Sequence, residues 1–167
     1  MYSFKESNRS GFAQPEVPIS ESFDAEPIPS LQWCSGFMDG DGCISITKQR
    51  MPGRKNLTYR LRLTLVQNSI ETLLAFQRAM AEHSFVTTPG PRIEHNRQIY
   101  SLIYDGRHAL NALVKLSPHL IRKRVEAVGA IRFWHEGRMG SYPGPRGFGP
   151  EVWAARAYWF NKLKKLK

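Results

Sequence analysis

Two carboxylates separated by one glycine stand in the run Asp39-Gly40-Asp41-Gly42. Oxygen ligands placed this close suit a hard divalent cation such as Mg²⁺, which keeps several waters and needs only one or two protein carboxylates. A cation held there could neutralise charge at a phosphate, which is one of the things phosphodiester hydrolysis needs. An EF-hand calcium loop does not fit. Its fifth position would be Cys43, its glycine position Ile44, and its closing glutamate Arg50. Taken alone, Asp-Gly-Asp-Gly reads first as a tight turn. Other reactive patterns are missing from the sequence. The two cysteines, Cys34 and Cys43, form no C-x-x-C pair, the five histidines show no H-x-x-x-H spacing, and there is no GxxxxGK[ST] phosphate loop.

The elements around the aspartates can be read from periodicity. Ser30 follows Pro29 as a helix N-cap, and Leu31, Cys34, Phe37 and Met38 recur at helical spacing. Ser35 and Gly36 are small enough for another backbone to approach, and Gly40 and Gly42 permit a sharp exit from the helix. From Cys43 to Gln49 the pattern alternates, with Ile44 and Ile46 on one face and Ser45, Thr47 and Gln49 on the other. Residues 57–67 alternate too: Leu57, Tyr59, Leu61, Leu63 and Leu65 oppose Thr58, Arg60, Arg62 and Thr64. Two such strands joined by the basic turn at 51–56 make a hairpin. Its polar face is either an ordinary solvated one or a surface that reads base edges and phosphates.

Ser69 caps a second helix with Thr72, Leu73, Phe76 and Met80 on its apolar side. A turn at 87–90 then leads to a weaker hairpin, residues 92–96 and 98–104, with Arg92, Glu94, Arg97 and Ser101 outward. Gly106 opens a helix with Leu110, Leu113, Val114 and Leu116 apolar, and Pro118 breaks it. A further helix is expected over 119–135, with a core stripe of Leu120, Ile121, Val125, Val128, Ile131 and Trp134. Arg122, Lys123 and Arg124 fall in its first turn, where cations oppose the macrodipole by some tenths of a kcal/mol each. That placement suggests a nearby anion, a phosphate or a carboxylate. A Gly/Pro-rich linker and an aromatic helix with a basic end close the chain. The organisation expected is a flexible leader at 1–29, an α+β domain at 30–136, and a linker with a C-terminal basic helix at 137–167.

The formal net charge is +10, and it is uneven: residues 1–30 carry −3 and residues 31–167 carry +13. A folded domain this basic most often meets a polyanion, usually nucleic acid. No apolar run is long enough to span a bilayer and there is no secretory h-region, so an intracellular protein is expected, in the cytoplasm or an organelle.

The stretch Trp33-Cys34-Ser35-Gly36-Phe37-Met38-Asp39-Gly40-Asp41-Gly42 resembles the motif of LAGLIDADG homing endonucleases, with Gly36, Asp39, Asp41 and Gly42 at its glycine and aspartate positions. The element order α-β-β-α-β-β-α, followed by a helical extension, is similar to that fold. The resemblance implies a four-stranded antiparallel saddle that binds double-stranded DNA. A single motif implies a homodimer, with Ser35 and Gly36 at the two-fold axis. It also implies that Asp41 holds Mg²⁺ with the Gly40 carbonyl, Mn²⁺ or Ca²⁺ substituting in binding, while Asp39 is structural. Two further matched positions are Gln67, expected to orient water, and Lys123, expected near the scissile phosphate. Relatives can carry an arginine four residues after the glutamine. Here that position is Glu71, with Arg122 or Arg124 as the available substitutes. The reading side chains would be Ser45, Thr47, Gln49, Thr58, Arg60, Arg62, Thr64, Arg92, Glu94 and Arg97. A strand of about nine residues covers about 30 Å, so a dimer would read a pseudo-palindrome of roughly 20 base pairs. The function implied is an intron-encoded, site-specific DNA endonuclease. The alternative is an RNA maturase or a non-cleaving DNA-binding protein of the same fold.

Overall fold

The chain enters its first helix through Pro29 and Ser30. In the computed structural model, which describes residues 27–50, 57–88 and 98–167, the Ser30 hydroxyl accepts the Trp33 N–H at 3.2 Å and opens α1 (Leu31–Asp41). Gly42 ends it by donating its N–H to the Met38 carbonyl. A Cβ at Gly42 would collide with the Met38 carbonyl and thioether. Only glycine lets the helix pass straight into β1 (Gly42–Arg50) at this closeness.

Strand β1 pairs antiparallel with β2 (Leu57–Gln67), Gly42 opposite Leu65 and Thr47 opposite Arg60. The sheet is completed by β3 (Phe85–Thr87) and β4 (Tyr100–Asp105), in the order β1-β2-β4-β3, with every neighbour antiparallel. One face is sealed. Ile44, Leu61, Leu63, Leu65, Leu102 and Tyr104 are almost fully buried and pack with Cys34 and Met38 of α1. α2 (Ile70–Met80) contributes Leu73, Phe76 and Met80, and α3 (Gly106–Leu116) contributes Ala109, Ala112, Leu113 and Leu116. Each such leucine or isoleucine contributes about 1.5–3 kcal/mol by leaving water. The cysteines are free. Burial pushes the Cys34 thiol up to about 11, so it packs as a small apolar group.

Three expectations need correction. The partner of β4 is Phe85–Thr87, in the segment expected to lead into a turn, and residues 92–96 lie outside the described residues. Ser101 of β4 is buried rather than outward. The helix expected from His119 starts later, as α4 (Arg124–Glu136), and its core stripe is met only in part: Leu120 and Trp134 are buried and Ile131 packs against the core. Ile121, Val125 and Val128 are exposed at 88%, 65% and 45%, while Ala127, Gly129, Ala130 and Phe133 are buried. The cause is α5 (Pro150–Lys165), which lies directly on the small residues: a Cβ on Gly129 would stand 3.1 Å from Leu163 Cδ1. Trp159 and Leu163 thereby join the main core. Trp159 Nε1 donates to Glu136 Oε2 at 2.6 Å, and the buried Arg156 donates from Nε to the Gly137 carbonyl at 2.7 Å. No described helix is long and apolar enough to cross a membrane.

Candidate active site

Asp41 is the last residue of α1 and is exposed. Because Gly42 pairs with Leu65, the end of β2 overshoots the start of β1 and reaches back over the helix end. Gln67 Nε2 there donates to Asp41 Oδ2 at 2.6 Å. Sequence positions 26 residues apart, Asp41 and Gln67, thus form one bonded pair. The Gln67 amide oxygen remains available to accept from water.

Asp39 and Asp41 differ completely in surroundings. Asp39 Oδ2 accepts the Ile121 and Arg122 N–H groups at 2.7 and 3.2 Å, and Oδ1 accepts the Lys123 N–H at 2.9 Å. It therefore caps the turn that enters α4, and a carboxylate at that helix end is favoured by the dipole. Burial alone would raise its pKa. The N–H groups of Ile121, Lys123 and Arg122, together with the Lys123 charge, overcome that and hold it below the ordinary carboxylate value. A carboxylate does stand beside Arg122 and Lys123, as anticipated for this cluster, but it takes their backbone N–H groups rather than their side chains. Asp39 is structural, and the groups it serves belong to a segment 82 or more residues away.

The same turn grips the end of α1 a second time. Lys123 Nζ and Arg122 Nε donate to the Asp39 carbonyl at 2.6 and 2.7 Å, and Arg122 Nη2 donates to the Gly40 carbonyl at 3.1 Å. Lys123 is only 5% exposed. Burial first, then the Arg122 charge, hold its ammonium below its ordinary pKa, and Glu126, Asp39 and Cys43 offset part of this. Arg122 is exposed and keeps donors beyond the two it spends on carbonyls. Glu71 lies at the start of α2, where its carboxylate takes the Ser69 hydroxyl at 2.9 Å.

The donor set fits Mg²⁺ as an open site. Asp41 offers an exposed carboxylate held by a single hydrogen bond, and the Gly40 carbonyl has a second lone pair beside the Arg122 bond. Among the described residues no group of three His, Cys, Asp or Glu could cage a metal ion. A cation held here would keep most of its water, as Mg²⁺ prefers.

The open face of the sheet carries Ser45, Thr47 and Gln49 from β1 and Thr58, Arg60, Arg62 and Thr64 from β2, as their alternation indicated. The Ser45 and Thr47 hydroxyls donate to the Arg62 and Arg60 carbonyls at 3.4 and 3.3 Å. Arg92, Glu94 and Arg97 lie outside the described residues. Sequence reasoning missed Asp105, which stands opposite Arg62 and binds it. Its position at the end of a strand was visible, but the pairing of β2 with β4 was not.

On the outer side of α1 one expectation fails. Ser35 is fully buried within its own chain, its hydroxyl donating to the Leu116 carbonyl at 3.2 Å, so it does not face a partner. Gly36 does face outward, along with Gln32, Trp33 and Gly40. Among the described residues nothing lies within 4 Å of a Cβ placed on Gly36 or Gly40.

Known proteins place this arrangement. No curated protein matches the sequence. Among solved structures, the homing endonuclease I-CvuI, crystallised with the I-CreI target and 2 mM Mg with its DNA not cleaved, is 23% identical, with a TM-score of 0.64 over 82% of this chain and 81% of that one. The archaeal intron-encoded homing endonuclease I-Vdi141I, complexed with DNA, is 13% identical, with a TM-score of 0.65 over 82% and 83%. I-GzeII, a LAGLIDADG homing endonuclease in complex with its DNA target, is 10% identical, with a TM-score of 0.60 over 81% of this chain but only 43% of its own. These likenesses establish the fold, an α+β saddle of four antiparallel strands. The sequence profile of the LAGLIDADG endonucleases matches residues 34–117, from α1 through the end of α3, which is half of the chain. That span holds Asp39, Asp41 and Gln67 together with the whole sheet, and by it this protein belongs to the LAGLIDADG endonuclease family.

Proposed function

We propose that this chain is a homodimeric, Mg²⁺-dependent, intron-encoded endonuclease that binds a pseudo-palindromic DNA duplex on its open sheet and cuts both strands. The observation that carries the reading is the Gln67–Asp41 hydrogen bond of 2.6 Å. It joins a carboxylate able to hold a cation to an amide able to hold water, at the end of a helix that exposes Gly36 and Gly40.

Each residue then has a role that its surroundings support. Asp41 and the Gly40 carbonyl hold the cation, which when bound supplies charge neutralisation at the scissile phosphate. Gln67 donates to Asp41 and accepts from the attacking water, orienting it. Arg122 anchors the Gly40 carbonyl and turns its remaining donors outward, where a phosphate can take them. Lys123, largely buried, adds a fixed positive charge beneath the site. Arg122 is thus the cation that stands in for the arginine replaced by Glu71.

Two further observations favour a dimer. A glycine in a helix interior costs roughly 0.5–1 kcal/mol relative to alanine, and nothing among the described residues crowds a Cβ at Gly36. The match to less than half of I-GzeII leaves room in that longer chain for a second such unit.

The decisive measurement is cleavage of sites selected from a random duplex pool with Mg²⁺. Asp41→Asn is expected to lower the cleavage rate by roughly a thousandfold or more while leaving binding in Ca²⁺ intact. Persistent Mg²⁺-dependent cutting by that variant would remove the assigned metal role. A wild-type protein that binds but never cuts would favour the non-cleaving or maturase reading.

A further inference from the structure

The open sheet face carries an ion pair that hydrolysis does not need. Arg62 and Asp105 sit directly opposite each other on β2 and β4. Arg62 donates from Nε to Asp105 Oδ1 and from Nη2 to Oδ2, both at 2.7 Å. Arg60 Nη1 lies farther off, 3.6 Å from Oδ2. Asp105 also occupies the N-cap position of α3, yet its side chain makes no cap hydrogen bond. An aspartate there ordinarily caps the helix. Its carboxylate instead grips the arginine.

That grip leaves a defined recognition surface. A guanidinium presents two donor edges, and the Nε/Nη2 edge is filled. The free edge, Nη1 with the second Nη2 hydrogen, matches the O6 and N7 acceptors of guanine side by side. The carboxylate keeps lone pairs that accept from the cytosine amino group and repel phosphate. Donors beside an acceptor are the complement of a G·C pair in the major groove.

We propose that Arg62 reads a guanine in each half of the target, and that Asp105 is the positioning residue that fixes it for that base and discourages bare phosphate. This rests on the DNA-recognition reading above.

The test is binding selection from a randomised duplex pool of roughly 24 base pairs in Ca²⁺, with salt held fixed. The full chain is compared with Arg62→Ala, Asp105→Asn, Asp105→Ser and Arg60→Ala. Asp105→Ser restores a helix cap without the charge, so it separates folding from recognition. The wild type should demand guanine at one symmetric position, and Arg62→Ala should weaken that demand by at least about tenfold. Both Asp105 variants should relax it severalfold and bind unrelated DNA more tightly, while Arg60→Ala leaves that position unchanged. The assignment fails if the Asp105 variants keep the full guanine preference, or if Arg62→Ala weakens all sequences equally, as a phosphate contact would. A wild type that selects no sequence at all overturns the DNA-recognition reading itself, and this inference with it.

Discussion

Asp39 and Asp41 lie two positions apart and do unrelated work because their partners differ. Asp41 is solvent-facing and bonded once, whereas Asp39 is spent on three backbone N–H groups. The titration of Asp39 gives a direct test of its structural role. Its folded-state pKa lies below the ordinary 3.8, so its contribution is fully present above that value and is lost as pH falls through the lower folded value. Asp39→Asn keeps the shape but loses the charge and one acceptor. It should cost about 1–3 kcal/mol at pH 7, as expected for charge-assisted hydrogen bonds. That difference should shrink below about pH 4, where the wild-type carboxylate begins to protonate. Urea unfolding midpoints of the two proteins between pH 7 and pH 3 measure it; a difference independent of pH would show that the charge does not contribute. The family resemblance implied that Asp39 and Asp41 divide the roles, and it matched Gln67 to the site. It did not show what Asp39 holds, because its partners are backbone groups whose position depends on how α3 returns the chain to α1.

At the level of elements, legibility followed side-chain contrast. β1 and β2 alternate leucine, isoleucine and tyrosine with Ser, Thr, Gln and Arg, so their faces could be read directly. β3 is three residues long, and no alternation can be seen over so short a run. α4 misled for a different reason. Its buried side sets Ala127, Gly129 and Ala130, which carry little hydrophobic signal, beside Phe133 and Trp134, while Val125 and Val128 face outward. Only the approach of α5 makes the small face the core. The junction from α1 to β1 depends on one such close approach. Gly42→Ala would drive a methyl group into the Met38 thioether and carbonyl, the second of which cannot step aside. A loss of about 1–3 kcal/mol is expected, as for other overpacked sites. Gly40→Ala, where the added Cβ meets nothing within 4 Å, should cost far less. Paired thermal melts compare them, and equal losses would mean that the turn is looser than its contacts imply.

For the molecule as a whole, the feature that the protomer leaves unexplained is the outer side of α1. Trp33 is 43% exposed and stacks on Phe37 with ring centroids 5.3 Å apart, leaving Gly36 and Gly40 bare beside it. Ile121, 88% exposed, is bonded through its N–H to the end of the same helix. A two-fold partner would cover both and set a second Asp41 beside the first, one for each DNA strand. The net charge of +10 per chain resists that association, and DNA relieves it, so dimer contacts and phosphate binding should reinforce each other. Gly36→Leu separates the two halves of this argument. Inside the protomer the Cβ of the new side chain meets nothing within 4 Å among the described residues, and leucine is a better helix former than glycine, so the fold should survive by circular dichroism. Between protomers the same side chain holds the helices apart. Sedimentation should therefore report a monomer where the wild type is a dimer. Linearisation of a target plasmid should fall to background even though Asp41 and Gln67 are untouched. A folded monomer that still cuts both strands would show that one site can serve both, and the two-fold arrangement would have to be abandoned.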